Sequence, residues 1–468
     1  MAYVAYVTTL KNLRKHPNAD RLQLAECFGN TVCVSMEYVA DQVGVYFPTD
    51  GQLSMEFCEQ NGLLAVYVDG VNVSGGYMDA EKRNVKTIKL RGEKSDGLFL
   101  PLTCLAYTGV DIDTIKVGDT ISVVNGHEIC TKYIPKRNHK SHSNTSEGNR
   151  TRKKKVPVAP LFAEHADTEQ LAYNLSAFKP GDLVEITLKM HGTSQRTANL
   201  PRFDGYKRTL MDRILRREGV AQYNWGSVSG TRRVVLEDFD GGYYGSNEFR
   251  EQHSKFFDGK LHKGETVYYE VVGFTTNGTP IMGDADNKKL NDKEFVKQYG
   301  KTTTFSYGCS PDGKKTFYGR DDQGNFEITK DAPQSDIYVY RMTMTNEDGD
   351  VVEYTPDFMR YRCEQMGVKT VPVLWYGLIP ENPGASYDDT ITAGEWIKNV
   401  AERFYDGPDP IGKTHVREGV VVRIINRPKF AAYKHKNFSF KVLEGIIKEV
   451  ADAPDMEEAQ DVTDNGEE

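Results

Sequence analysis

VEITLKMHGTSQR, Val184 to Arg196, carries an alternating apolar and polar run up to a lysine and sets a glycine three residues beyond it. The period of two makes Val184–Lys189 a strand with two unlike faces. Val184, Ile186 and Leu188 share the inward face; Glu185, Thr187 and Lys189 share the other. Lys189 therefore leaves the strand on its polar side. Gly192 lets the backbone turn and approach a ligand closely, and Thr193 and Ser194 supply short hydroxyl donors. An exposed lysine before a turn is an ordinary surface feature, so this stretch gains meaning only from what accompanies it.

Working outward, the 468 residues are 38% hydrophobic and 27% charged, enough for two or three cores and too polar for a membrane protein. There is no apolar run near the roughly 20 residues that span a bilayer and no secretory signal pattern, so a cytoplasmic protein is expected. Seven cysteines without a C-x-x-C pair read as reduced structural thiols, not as a disulfide framework or zinc site. The net charge of −8 hides an uneven distribution. Residues 132–157 hold nine lysines and arginines against one acid, Glu147, whereas the terminal DAPDMEEAQDVTDNGEE has no basic residue. Both suit solvated chain, and the basic stretch is equally suited to neutralising phosphates.

That composition divides the chain into residues 1–130, a basic linker 131–157, a larger domain 158–449 and an acidic tail 450–468. In the first part, short alternating runs (VAYVTTL, NTVCVSM, VGVYFPT) separated by GN, DG and SGG suit a small closed barrel, with one helical candidate at SMEYVADQV. The larger domain mixes strands (TVYYEVVGF, IYVYRMTM, GVVVRII) with helical patterns (YKRTLMDRILRREG, EFREQHSKFF, AGEWIKNVAERFY). Lacking regular strand-helix alternation, it reads as α+β with largely antiparallel sheets. Residues 275–335 read as a loop-heavy insertion.

Downstream of Lys189 come YYEVVGF with Glu270, IYVYRMT with Tyr338 and Tyr340, REGVVVR with Glu418, and YKHK with Lys434 and Lys436. Together they have one chemical logic. A lysine amine attacks an electrophile only when neutral, and nearby cations or a metal lower its pKa. Lys434, Lys436 and a magnesium ion would supply that field and stabilise charge on a phosphoryl group in transfer. Glu418 would hold hydrated metal, Glu270 would accept a hydrogen bond from ribose, and an aromatic, Tyr340 first and Tyr338, Phe305 or Tyr307 as alternatives, would stack on a purine.

In this order the motifs KMHG (Lys189–Gly192), SGTRR (Arg232), YYEVVG, IYVYR, REGVVVR and YKHK resemble the covalent nucleotidyltransferase superfamily of ATP-dependent ligases and capping enzymes. His191 in K-x-H-G-T and the preceding APLFAEHADTEQLAYN are similar to RNA ligases. Fewer than 30 residues follow Lys441, which leaves no room for the C-terminal OB domain of DNA ligases and capping enzymes. Residues 4–128, with KHPNADRLQLAE and KLRGEKSDGLFLPL, look like the N-terminal OB domains of tRNA-binding modules and of Deinococcus and Naegleria type RNA ligases.

The resemblance implies an ATP-dependent RNA ligase that forms phosphoric ester bonds through lysyl-AMP, using ATP and Mg2+ or Mn2+. Lys189, His191, Lys434 and Lys436 would be catalytic. Gly192, Arg196, Arg232, Glu270, Tyr340 and Glu418, with the two lysines, would bind nucleotide, and Glu418 would also hold metal. Lys15, Arg21, Lys89 and Arg91 would contact nucleic acid. The implied substrate is RNA or a nicked RNA/DNA duplex with an RNA 3′-hydroxyl strand, and the protein a monomer away from membranes. The rivals are a DNA ligase, a capping guanylyltransferase and a non-catalytic OB-fold RNA- or tRNA-binding protein.

Overall fold

The computed structural model describes residues 3–49, 51–68, 71–133, 157–165, 168–215, 219–232, 234–236, 239, 247–313, 317–320, 323, 325–329, 332–384 and 391–451. Most of the basic linker and nearly all of the acidic tail lie outside them. The chain falls into two compact units, Met1–Lys136 and Arg137–Glu468.

In the first unit, antiparallel strands Leu98–Pro101, Val43–Phe47, Ala5–Thr9 and Thr120–Ile121 form one sheet, and Lys11–Lys15, Leu22–Cys27 and Asn30–Ser35 form a second. VAYVTTLKNLRK feeds both. It pairs in the first sheet up to Thr9 and in the second from Lys11, where a register shift between Lys11 and Arg14 and a left-handed Asn12 (φ 50°) turn the strand. Val7, Val45, Phe47, Leu53, Phe57 and Leu105 fill the core. SMEYVADQV is not a helix. Its backbone is tied instead to side chains: Gln23 donates to the Ser35 and Tyr38 carbonyls, and Gln42 accepts from the Val39 N–H. The short helix lies further on, at Met55–Gln60, capped by the Ser54 side chain.

The second unit is built on two sheets. In the five-stranded sheet the order is Glu169–Gln170, Ala431–Lys436, Gly419–Ile424, Leu183–Lys189, Val373–Leu378. The larger sheet runs Val235–Leu236, Val220–Gly230, Thr193–Lys207, Glu265–Gly273, Ser335–Thr345, Val351–Glu353, with Lys369–Thr370 alongside Ser335–Thr345. Val184, Ile186, Val420, Val422 and Ile424 turn one face of the smaller sheet onto the helix Ala393–Glu402, burying Ile397, Val400 and Ala401. The opposite face is left for polar groups, as the alternation in VEITLK requires. Only Met190–Gly192 separates the end of Lys189's strand from the start of Thr193's, so the chain steps from one sheet to the other at KMHG.

All seven cysteines are free. Burial pushes the Cys27 and Cys104 thiols up to about 12, which keeps them protonated and unreactive. No described helix is long and apolar enough to cross a membrane.

On the helix Glu248–Phe256, His253 Nε2 lies 2.8 Å from Ser335 Oγ, and burial lowers its pKa to about 4. The unfolded chain takes up that proton near pH 6.5. The neutral histidine therefore gives its full stability above about pH 6.5, and loses about 2 kcal/mol as the pH falls toward 4, allowing for partial exposure. Urea midpoints at pH 7, 5.5 and 4.5 should fall less steeply in His253→Gln than in the parent; equal slopes would contradict this.

Candidate active site

Across the smaller sheet, backbone register stacks three rows of residues. Lys189 is opposite Gly419, which is opposite Lys436; Thr187, Val421 and Lys434 form the next row; Glu185, Arg423 and Ala432 the third. A cleft lies over this face, lined from the smaller sheet by Glu185, Thr187, Lys189, Val421, Arg423 and Ala432. The larger sheet contributes Ser194, Glu270 and Tyr340, and the helix Pro356–Met366 contributes Met359 and Arg360. His165, Arg232 and Phe430 line it too, as does Leu188, expected on the inward face with Val184 and Ile186. The mix of apolar surface with a few convergent polar groups suits a small-molecule ligand.

At one end of the cleft, Lys189 Nζ is 2.8 Å from Glu418 Oε1 and Lys436 Nζ is 3.4 Å from the same oxygen. Lys436 also donates to both oxygens of Glu444, at 2.8 and 2.9 Å. Glu418 is 2% exposed. Burial pushes its carboxyl above the usual carboxylate range, against the opposing pull of Lys189 and Lys436. Two glycines make this packing possible. A Cβ on Gly419 would stand 2.1 Å from the His435 carbonyl oxygen, and one on Gly192 would stand 2.4 Å from that of Val271 and 2.9 Å from Glu270 Cγ. Gly192 thus serves a close approach to the strand carrying Glu270, where a close approach to ligand was expected.

His191 is buried beneath the lysine. Its Nδ1 lies 3.8 Å from Glu418 Oε2, and its ring meets Phe305 and Phe440 edge-on, each at 4.7 Å. Buried Arg250 donates to Thr193 Oγ1 and to the Ser194 carbonyl, fixing the start of the strand beyond the turn.

Tyr340 and Ser194 share a 2.8 Å hydrogen bond between hydroxyls, and Tyr340 packs on His165 at 5.4 Å. Tyr338 is 5% exposed in the core, with Lys369 over its ring. Between them the register with the neighbouring strand slips: Tyr269 pairs with Val339 and Tyr268 with Arg341, so Tyr340 is the extra residue of a bulge. Phe305 and Tyr307 are buried away from the cleft. Of the four aromatic candidates, Tyr340 is the one on the wall.

Arg196 is placed differently from expectation. It is 1% exposed, outside the cleft lining, and its guanidinium donates to the carbonyls of Thr231, Phe162 and Ala163 while stacking on Phe162. These contacts pin the segment leading to His165, and the arginine presents no face to a phosphate there. Arg232 does line the cleft, and its carbonyl accepts from the His165 N–H at 2.9 Å.

Glu185, Arg360, Arg423 and His165 are wall residues that the sequence reading did not select. Arg360 bridges Glu185 and Asp357, Arg423 reaches Glu353 at 3.7 Å, and Arg341 donates to Glu353 and to His165 Nδ1. Period two already put Glu185 on the face of Lys189, a usable signal; nothing local marked Arg360 on its helix.

In the first unit, Lys15, Arg21 and Arg91 are exposed. KHPNAD and KLRGEK are joined: His16 Nε2 lies 3.1 Å from the Leu90 carbonyl, and Asn18 donates to that of Arg91 at 3.1 Å. The side chain of Lys89 lies outside the described residues.

No protein-family model matches the chain, and no curated protein matches it in sequence. Solved structures do. A lysine-to-methionine variant of Naegleria gruberi RNA ligase with AMP and Mn is 15% identical, with a TM-score of 0.51, covering 94% of this chain and 98% of that one. The likeness is one of fold. The same ligase with PPi gives 16% identity and a TM-score of 0.50 over 93% and 97%, and a lysine-to-alanine variant with ATP and Mn gives 16% and 0.50 over 97% and 99%. The Naegleria ligase fold thus spans both units of this chain.

Proposed function

We propose that the protein is an ATP-dependent RNA ligase joining a 3′-hydroxyl to a 5′-phosphate through lysyl-AMP on Lys189. The carrying observation is the position of Lys189 at the junction of two sheets, lining a cleft, with its amine 2.8 Å from buried Glu418, which Lys436 also approaches at 3.4 Å. The ATP, AMP, Mn and PPi complexes of the Naegleria ligase support it.

Lys189 Nζ, having lost a proton, attacks the α-phosphorus of ATP. The N–P bond forms, the bond to the β-phosphate oxygen breaks and pyrophosphate leaves. A 5′-phosphate oxygen then displaces the lysine to give an AMP-capped end, and the 3′-hydroxyl displaces AMP to close the phosphodiester. Tyr340 stacks on adenine, with Val421 in the opposite wall; Glu270 accepts from ribose; Lys434 and Lys436 neutralise phosphate charge.

Glu418 fits a divalent cation. Its Oε2 is buried and makes no hydrogen bond among the described residues. No described group of three or more His, Cys, Asp or Glu side chains forms a complete cage, so ATP oxygens and water would fill the remaining positions, as suits Mg2+ or Mn2+. Such an ion supplies charge neutralisation at the phosphates and weakens the hold of Glu418 on the lysine proton.

The N-terminal unit acts as an OB domain holding the strand around the break, with Lys15, Arg21, Lys89 and Arg91 on the phosphates, and residues 131–157 add a basic linker. A nicked duplex is the preferred substrate. Duplexes with a ribose or a deoxyribose at the 3′ side of the nick provide the test: sealing should require ribose, on either an RNA or a DNA 5′-phosphate strand. Equal sealing of all-DNA nicks would favour a DNA ligase, and labelling by GTP instead of ATP a capping enzyme.

A further inference from the structure

The segment between the paired strands Glu265–Gly273 and Ser335–Thr345 looks in sequence like an elaborated loop, but part of it is core. Ile281, Met282, Leu290, Tyr299, Phe305 and Tyr307 join the largest hydrophobic cluster of the protein. Within that cluster, the Tyr307 hydroxyl accepts a 2.8 Å hydrogen bond from the His191 main-chain N–H, in the turn that carries Lys189. The Tyr307 ring packs edge-on against His415 at 4.5 Å, and Phe305 touches His191 and His415 at 4.7 and 5.2 Å. His415 is three residues before Glu418 and fully buried, its Nε2 3.7 Å from buried Asp409. One inserted segment therefore touches both loops whose charged ends meet at 2.8 Å.

Tyr307 also holds an uncommon backbone conformation, φ 46°, which a bulky residue keeps only where its surroundings enforce it and which concentrates at working sites. Burial, and then the Glu418 and Asp409 carboxylates, push the phenol well above its ordinary range, so it remains a neutral hydroxyl.

We propose that Tyr307 is a positioning residue for adenylyl transfer: its hydroxyl locks the main chain of the KMHG turn against the loop leading to Glu418, which fixes where the Lys189 amine stands. This rests on the ligase reading above. In-line attack tolerates little misplacement, so loosening the turn should slow the chemical step while leaving the nucleotide pocket intact.

The test is single-turnover lysyl-AMP formation by the full chain. Tyr307→Phe removes one oxygen and keeps the ring. Its rate at saturating ATP should fall about 10-fold, with the ATP concentration for half-maximal rate changed less than about two-fold. Tyr299→Phe, a buried tyrosine of the same segment, should keep the parent's rate even if it melts earlier. A parental rate in Tyr307→Phe, a loss confined to the ATP dependence, or an equal loss in Tyr299→Phe would overturn the proposal. Should Tyr307→Phe not fold, hydrogen exchange of the parent decides: a His191 amide protected as well as the core supports the lock, and one exchanging like an open loop refutes it. If the parent itself forms no lysyl-AMP, the ligase reading fails; if it does and Tyr307→Phe matches it, only this inference fails.

Discussion

Glu418→Gln should lower lysyl-AMP formation about 100-fold or more and remove its response to divalent metal between micromolar and millimolar concentrations. Glutamine keeps the shape but not the charge. Its neutral amide oxygen is a much weaker ligand for Mg2+, and it leaves Lys189 and Lys436 as neighbouring cations, although Lys436 keeps Glu444. The pH profile carries a second signature. Because burial raises the Glu418 carboxyl, its protonation on acidification comes at a higher pH than for a solvated glutamate near 4.3, and with it goes the metal ligand. The parent should therefore lose activity on the acid side above that pH, and the glutamine variant should lack this limb. Stopped assays from pH 5 to 9, with metal titrated at each pH, measure both. A variant retaining the parent's metal dependence would remove Glu418 from the metal's coordination.

The second large effect is at the nucleophile. Lys189→Ala should abolish adenylyl transfer, by at least about 10³-fold, because the proposed N–P bond forms on its amine. Affinity for a nicked RNA duplex, measured by fluorescence anisotropy, should stay within about two-fold, since one partly buried lysine adds little to the binding of a whole strand. Supplying a pre-adenylylated nick should restore some sealing in this variant, because the last step needs the 3′-hydroxyl and not the amine. Loss of RNA binding in Lys189→Ala would mean that the lysine serves the strand instead of the adenylate.

How much of this was legible in the sequence depends on which physical rule was in play. Alternation separated Val184 and Ile186 from Glu185, Thr187 and Lys189, which line the cleft, but at the strand's end Leu188 reaches the cleft as well. The order of charged motifs put Glu418 just ahead of one neighbouring strand and Lys434 and Lys436 on the next, where register sets Lys436 in the row of Lys189 and Lys434 in the row of Thr187. Alternation could not choose between Tyr338 and Tyr340, two apart and nominally equivalent; the bulge opposite Tyr268 and Tyr269 separates them, and a bulge leaves no local mark in this sequence. Arg196 was a nucleotide-binding candidate through the family resemblance; that three carbonyls of distant segments take its donors is a tertiary fact. Arg360 was invisible because its helix presents only Met359 and Arg360, adjacent residues without periodic companions, to the cleft. The sequence offered Tyr307 only as an alternative stacking aromatic; the positioning role proposed for it depends on a contact 116 residues away in sequence.

The most direct test of the central claim is peptide mass mapping of the purified chain after incubation with ATP and Mg2+, quenched without acid. One adenylyl group, on the peptide containing Lys189 and released by mild acid or by added pyrophosphate, is the predicted result. An unmodified Lys189 peptide, or an adenylyl group stably carried elsewhere, would contradict the account.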